Sequence, residues 1–152
     1  MKKWLGILCA ISLVAFMVSC GAKVPEKLEV QMAPAKGYEG AAKGSAVITG
    51  TDVTFNITGL EAGTVYTAYF VNVKSQMFQG IGQEPFTLPV DANGNVSFTA
   101  PIKKDSYKRF IRLGVYMNPG NTPVGNPLGV KAKLGAFMHA KKPKMVLVAK
   151  LR

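Results

Sequence analysis

Histidine and cysteine are scarce in this chain, and that scarcity limits the kinds of site it can hold. Its 152 residues include a single histidine, His139, and two cysteines, Cys9 and Cys20. A Ser-His-Asp or Cys-His apparatus would have to centre on His139, and no recognisable nucleophile motif stands near it. One histidine without a carboxylate cluster is also short of the three or four ligands of a zinc site. We therefore predict no catalytic residue, no metal ligand and no cofactor, and we interpret His139 as a surface residue.

The chain also lacks an apolar run long enough to span a bilayer. Two lysines precede the mostly apolar residues from Trp4 to Ser19, and this run is shorter than the roughly 20 residues of a membrane-spanning helix. A charged start, an apolar middle and a small-residue end are typical of an export signal. Cys9 lies inside this segment and would be removed with it, so the exported chain would retain Cys20 alone.

Cys20 follows the apolar run in a recognisable context. The motif Met17-Val18-Ser19-Cys20, followed by Gly21, resembles the lipobox of bacterial lipoproteins, which usually has Leu where Met17 stands. The resemblance implies that the Cys20 thiol accepts a diacylglycerol, and that cleavage makes this residue the new N-terminus. The alternatives are an ordinary secretory signal cut nearby and an uncleaved anchor.

These features predict the domain organisation and the location of the protein. Residues 1–19 form a lipoprotein signal peptide, residues 20–26 a lipid-anchored tether, and residues 27–152 a single folded domain. The expected location is the bacterial cell envelope, with the protein anchored in a membrane and facing the periplasm or the exterior.

Beyond the tether the pattern is a succession of short β-branched runs separated by turn residues. Strands are predicted over residues 28–32, 46–49, 53–58, 64–73, 86–90, 96–100, 108–117 and 145–152, and tight turns over residues 50–52, 61–63 and 91–95. Residues 129–142 fit either a strand or a helix, and we favour the strand because it would help to complete two sheets. The sequence therefore predicts an all-β fold, an antiparallel two-sheet sandwich of immunoglobulin-like or related Greek-key type.

Three segments carry a family resemblance. They are Gly59-Leu60-Glu61-Ala62-Gly63-Thr64-Val65-Tyr66 with Tyr69-Phe70-Val71, then Val90-Asp91-Ala92-Asn93-Gly94, then Pro119-Gly120-Asn121-Thr122-Pro123-Val124-Gly125. Together they resemble the extracytoplasmic domain of anti-sigma-K factors. The chain has neither that family's mid-chain membrane helix nor its cytoplasmic sigma-binding region. The resemblance implies a sandwich outside the membrane, and it carries over no regulatory function and no site residue.

Acidic residues are few, and the two signs of charge are unevenly distributed. Residues 24–100 hold four lysines and seven acids, whereas residues 101–152 hold twelve Lys or Arg against Asp105. Alternation along the predicted strand 108–117 places basic and aromatic side chains on one side. If this strand neighbours the C-terminal strands, a basic face forms. Its members would be Lys108, Phe110, Arg112, Tyr116, Lys131, Lys133, Lys150 and Arg152.

Such a face would suit anions, so we predict a lipid-anchored envelope protein that is a binding or structural module rather than an enzyme. The expected partners are the membrane, through the lipid on Cys20, and an anionic lipid, an envelope polymer or an acidic protein. A solvated edge kept soluble by lysine is the alternative interpretation of the face. A polyanion binder and an envelope enzyme acting through the loop carboxylates Glu61, Glu84, Asp91 and Asp105 are alternative functions. Nucleic acid is the poorer partner because the chain is exported.

Overall fold

The structure, a computed structural model, describes residues 26–123 and 142–152, which fold as β-strands joined by turns. Within these residues the strands are β1 (Leu28–Pro34), β2 (Lys43–Ile48), β3 (Asp52–Thr58), β4 (Tyr66–Asn72), β5 (Met77–Gly80), β6 (Thr87–Leu88), β7 (Val96–Pro101), β8 (Arg112–Met117) and β9 (Lys144–Lys150). Two short 3-10 helices, Ser106–Arg109 and Pro119–Asn121, are the only helical turns in this part of the chain. None of the described helices has the length and apolar character needed to cross a membrane. The prediction of an all-β fold is confirmed.

The strands form one curled antiparallel sheet. Eight of the nine described strands follow the path β5-β4-β8-β9-β1-β2-β3-β7, and the short β6 pairs with β4. Strand β1 joins the two halves of this path, because its first five residues pair with β2 whereas Ala33 and Pro34 pair with β9. Just after β5, the Gly82 N–H donates a hydrogen bond of 3.1 Å to the Pro101 carbonyl at the end of β7. The curl therefore brings the two ends of the path together.

The inner faces of both halves bury one shared core. Along β3 the side chains alternate, so that Val53, Phe55 and Ile57 are buried, as the period-2 pattern of its sequence requires. They belong to the same cluster as Phe70 of β4 and Leu113 of β8 in the opposite half. Each fully buried side chain of this size contributes about 1.5–3 kcal/mol to folding, so this core is the main source of stability.

The predicted turns at residues 50–52 and 91–95 lie where the chain reverses. The first joins β2 to β3, and the Thr49 hydroxyl accepts the Asp52 N–H at 3.0 Å. In the second, Gly94 has a φ of 76°, which a residue without a side chain adopts at low cost. The Asp91 carboxylate accepts the N–H groups of Asn95 and Asn93 at 2.8 Å each, and these bonds hold the pKa of Asp91 below its usual value.

The structure differs from the prediction in the run 108–117. The strand begins only at Arg112, because Asp105 takes a φ of 57° and starts the 3-10 helix that ends at Arg109. Phe110 follows this helix and turns inward, where its ring stacks on Phe70 at a centroid distance of 5.8 Å. The prediction that Phe110 shares an exposed face with Arg112 is therefore wrong.

Strand β9 contains a second difference. Leu147 pairs with Val115 and Met145 pairs with Tyr116, so Val146 is an extra residue in the ladder, a β-bulge. Both Val146 and Leu147 are buried in the main core. The bulge places Met145 on the outer face of the sheet, whereas strict alternation with the inward Leu147 would point it inward. Strand β5 was not predicted, and of the ambiguous segment 129–142 all but residue 142 lies outside the described residues.

Candidate anion-binding groove

The outer face of β4, β8, β9 and β1 arranges its side chains in rungs set by the strand register. One rung holds Val71 of β4, Arg112 of β8 and Lys150 of β9. The next rung holds Tyr69 of β4, Gly114 of β8, Val148 of β9 and Ala33 of β1. Directly opposed residues have Cβ atoms about 4.5–5.5 Å apart. Two cationic side chains, Arg112 and Lys150, are therefore neighbours on this face.

An aromatic cluster lies beside these rungs. We call Tyr69, Val71, Phe78 and Tyr116 the outer aromatic cluster. All four residues are buried, and they form a cluster separate from the main core. The Tyr69 ring meets Phe78, Phe86 and Tyr116 edge-to-face, at centroid distances of 5.6, 5.9 and 5.8 Å. Such pairs add about 0.5–1.5 kcal/mol each beyond their burial. The cluster therefore stabilises an outer face that would otherwise be solvated.

Glycines opposite Tyr69 make room for these rings. Gly80 and Gly114 pair with Tyr69 from its two neighbouring strands. A Cβ atom on Gly114 would lie 2.9 Å from the Tyr116 ring, and one on Gly80 would meet the Phe86 ring. The rings can thus lie against the backbone. Burial raises the pKa of Tyr69 and Tyr116 to about 12, and for Tyr116 the nearby charge of Arg112 acts in the opposite direction.

A groove of about 860 Å³ runs over the outer face of β9, between β1 and β8. Its floor is apolar and includes Ala33, Met145 and Val148. A smaller recess of about 60 Å³ shares Met145 and Val148 with it and is bordered by Val71 and Tyr116 of the outer aromatic cluster. The groove volume falls within the roughly 300–1,000 Å³ of ligand-binding pockets.

Cationic side chains border this groove. The described residues that line it include Lys36, Lys74, Arg112, Lys150 and Arg152, and none of them is acidic. The ion pairs formed within residues 26–123 and 142–152 lie elsewhere, between Lys27 and Glu29 at 2.7 Å and between Lys108 and Asp105 at 2.9 Å. Like charges directly opposite each other on two strands destabilise a sheet. The groove therefore gathers cationic side chains, and no acidic side chain is among the described residues that line it.

The groove brings together three of the eight residues predicted for the basic face: Arg112, Lys150 and Arg152. Tyr116 lies next to it, in the outer aromatic cluster. Lys108 lies on the 3-10 helix, where the hydrogen bond and charge of Asp105 raise its pKa. Of the predicted face, Arg112, Lys150 and Arg152 therefore lie together, whereas Lys108 lies elsewhere.

The three remaining predicted members are Phe110, Lys131 and Lys133. Phe110 is in the main core, and Lys131 and Lys133 lie outside the described residues. The sequence analysis missed Lys36 and Lys74, which border the groove from loops that follow β1 and β4. No local sequence pattern points to these two lysines, because only the sheet topology brings their loops beside β9.

The four loop carboxylates do not border the groove. Asp91 binds backbone N–H groups of its own turn, and Asp105 is paired with Lys108. Neither Glu61 nor Glu84 is among the residues that line the groove. Within the described ranges, no three His, Cys, Asp or Glu side chains are grouped closely enough to hold a metal ion.

No protein-family model, no curated protein and no solved structure gives a match to this chain. The candidate site therefore depends on its own geometry and charge.

Proposed function

We propose that this protein is a lipoprotein of the bacterial cell envelope, anchored through Cys20, and that its β-domain is a binding module for anionic ligands. The observation that carries the binding proposal is the convergence of Lys74, Arg112, Lys150 and Arg152 on one groove without an acidic neighbour among the described lining residues. The anchor is supported by the lipobox-like motif that ends at Cys20.

We also propose that the two halves of the curled sheet form a two-sheet sandwich of immunoglobulin-like or related Greek-key type. Its support is the single core shared by the two halves, in which Phe55 from one half and Leu113 from the other belong to the same cluster. The outer face of one half is then free to carry a ligand while the inner face holds the fold together.

Arg112 is the residue best suited to recognise the anion. Its guanidinium group presents a planar fork of donors that matches a carboxylate or a phosphate in a bidentate arrangement. Lys150 stands directly opposite it in the sheet and adds a second charge. A bound anion would offset the repulsion between these two side chains, so binding is favoured both by new contacts and by relief of repulsion.

Titration of the protein with inorganic pyrophosphate tests the binding proposal. The chain from Gly21 onward contains every described strand, and amide chemical shifts in this isotope-labelled protein should change at β8 and β9. Charge-assisted hydrogen bonds contribute about 1.5–3 kcal/mol, so Arg112→Gln should weaken binding on the order of tenfold. The matched control is Lys43→Gln, on β2 in the other half of the sheet and outside the groove. Equal binding by the two variants would contradict the proposal.

The anchor is tested by fractionation of cells that express the full chain. The wild type should be in the membrane fraction and should carry acyl chains, whereas Cys20→Ala should lose the acyl label. Cys9→Ala, within the apolar run, is the matched control and should behave like the wild type. A wild-type protein recovered without acyl chains would contradict the proposal.

A further inference from the structure

We propose that the groove takes a single-chain anionic amphiphile, with its charged head at Arg112 and Lys150 and its apolar chain along β9. This inference rests on the proposed anion-binding function and adds the apolar part of the ligand. The shared chemistry of the head is a phosphate or a carboxylate on one alkyl chain, taken up from solution.

The charge of the groove is concentrated at one end. Arg112 and Lys150 form one rung of the sheet, and Lys74 and Arg152 both border a second hollow just beyond that rung, together with Ile111. These four cations would surround a single anionic head group. The ligand's negative charge is therefore expected at this end of β8 and β9.

Away from this end the floor becomes apolar. The next rung holds Gly114, Val148 and Ala33, whose small side chains leave a depression. Beyond it lie Met145 and Tyr116, which border the smaller recess. Tyr116 is four positions beyond Arg112 along β8, so the floor extends about 13 Å from the charged end at roughly 3.3 Å per residue.

Two properties distinguish this site from a docking surface for a membrane. The floor is recessed between long side chains, which matches the concave form of small-molecule sites. Lys36 lies on the far side of the apolar floor, where its aliphatic stem can cover a bound chain while its charge remains in water. The groove can therefore seat one alkyl chain along its floor.

The test uses the chain from Gly21 and compares three kinds of probe at monomeric concentrations. Octyl and decyl phosphate carry both parts of the ligand, inorganic phosphate carries the head alone, and decyl maltoside carries the chain alone. Each extension by two methylenes should tighten binding about fourfold if the methylenes are half buried and about fifteenfold if they are fully buried. Decyl maltoside should bind at least about tenfold more weakly than decyl phosphate.

Variants assign the two parts of the ligand to the two parts of the groove. Arg112→Gln should weaken the binding of both phosphate and decyl phosphate. Ala33→Phe fills the floor and should weaken the binding of decyl phosphate alone. Ser97→Phe, on an exposed strand position of the other half of the sheet, is the matched control. Val148→Thr, which is nearly isosteric, should weaken the binding of decyl phosphate about threefold. This variant keeps the test valid if Ala33→Phe does not fold.

The outcomes separate this inference from the proposed function. If phosphate and decyl phosphate bind at Arg112 with equal affinity, the amphiphile inference is overturned and anion binding stands. Equal binding of decyl maltoside and decyl phosphate would overturn the assignment of the charged head. Binding to anionic vesicles but not to monomeric decyl phosphate would indicate a membrane surface and overturn the inference. If neither phosphate nor decyl phosphate binds, both proposals fail.

Discussion

Replacing Lys150 with glutamate should stabilise the ligand-free protein. Arg112 and Lys150 are opposed in register, and no described carboxylate pairs with either. At a charge separation of roughly 6 Å in water their repulsion is about 0.7 kcal/mol. Lys150→Glu converts it to an attraction of similar size, so the free energy of unfolding should rise by about 1–1.5 kcal/mol at low ionic strength. Screening at physiological salt should reduce this gain by about half.

Urea denaturation at low and at high salt measures this effect. For a domain of this size the gain corresponds to a rise in melting temperature of about 4 °C at low salt. Lys43→Glu makes the same change in net charge on the other half of the sheet, and it separates the local pair from the general effect of a chain with a net charge of +11. The reasoning is refuted if Lys150→Glu is no more stable than Lys43→Glu at low salt, or if its advantage does not fall with added salt.

Three further predictions concern the outer face and one turn. Gly114→Ala should lower the free energy of unfolding by about 1–3 kcal/mol in urea denaturation, because its Cβ would lie 2.9 Å from the buried Tyr116 ring; an unchanged midpoint would contradict this packing. Stability should fall as pH rises from about 10 toward 12, because the raised pKa values of Tyr69 and Tyr116 let the unfolded chain lose its protons first; tyrosinate absorbance checks this, and ionisation of both residues near pH 10 in the folded protein would contradict it. Asp91→Ala should be less stable than the wild type at neutral pH, and the difference should shrink as pH falls below the ordinary carboxyl pKa of 3.8, because the lowered pKa of Asp91 gives a stability that is lost as the carboxylate is protonated; denaturation midpoints at neutral and at acidic pH check this, and a difference that does not shrink in acid would contradict it.

Most strands of the fold could be predicted because one face of each is buried. Along β3 and β7 the apolar residues alternate with polar ones, and the predicted ranges differ from the observed strands by one residue or less at each end. The hairpin at residues 50–52 could also be predicted, since turn residues separate two alternating runs. Alternation reports burial on one side of a strand. It is therefore most reliable in the half of the sheet that contains β2, β3 and β7, where the outer face is exposed.

The half that contains β4, β8 and β9 was harder to predict because β4 is buried on both faces. All but the last residue of β4 are buried, so its sequence carries no alternation that would show which side chains face the core. Near β8 and β9 the faces change for local reasons, the 3-10 helix after Asp105 and the bulge at Val146. Neither feature has a period-2 signature, so the face of Phe110 and of Met145 could not be read from the pattern.

The candidate site could be predicted only in the part that strands supply. Arg112 and Lys150 occur on two runs with clear strand character, and antiparallel pairing brings them together. Lys36 and Lys74 are far from them in the sequence, and their position beside the groove depends on the order of strands in the curled sheet. Strand order is set by contacts across the whole fold, which local patterns do not contain.

The groove combines two features that are unfavourable in the free protein, the opposed cations Arg112 and Lys150 and an apolar floor that includes Val148 and Met145. A surface that served only solubility would intersperse acids among the cations and would not leave an apolar floor. One ligand with an anionic head and an apolar chain would offset both features. Lys150→Glu should therefore raise the free energy of unfolding measured by denaturation. In the same protein it should weaken the binding of decyl phosphate on the order of tenfold. If stability rises while affinity is unchanged, the cations serve solubility alone.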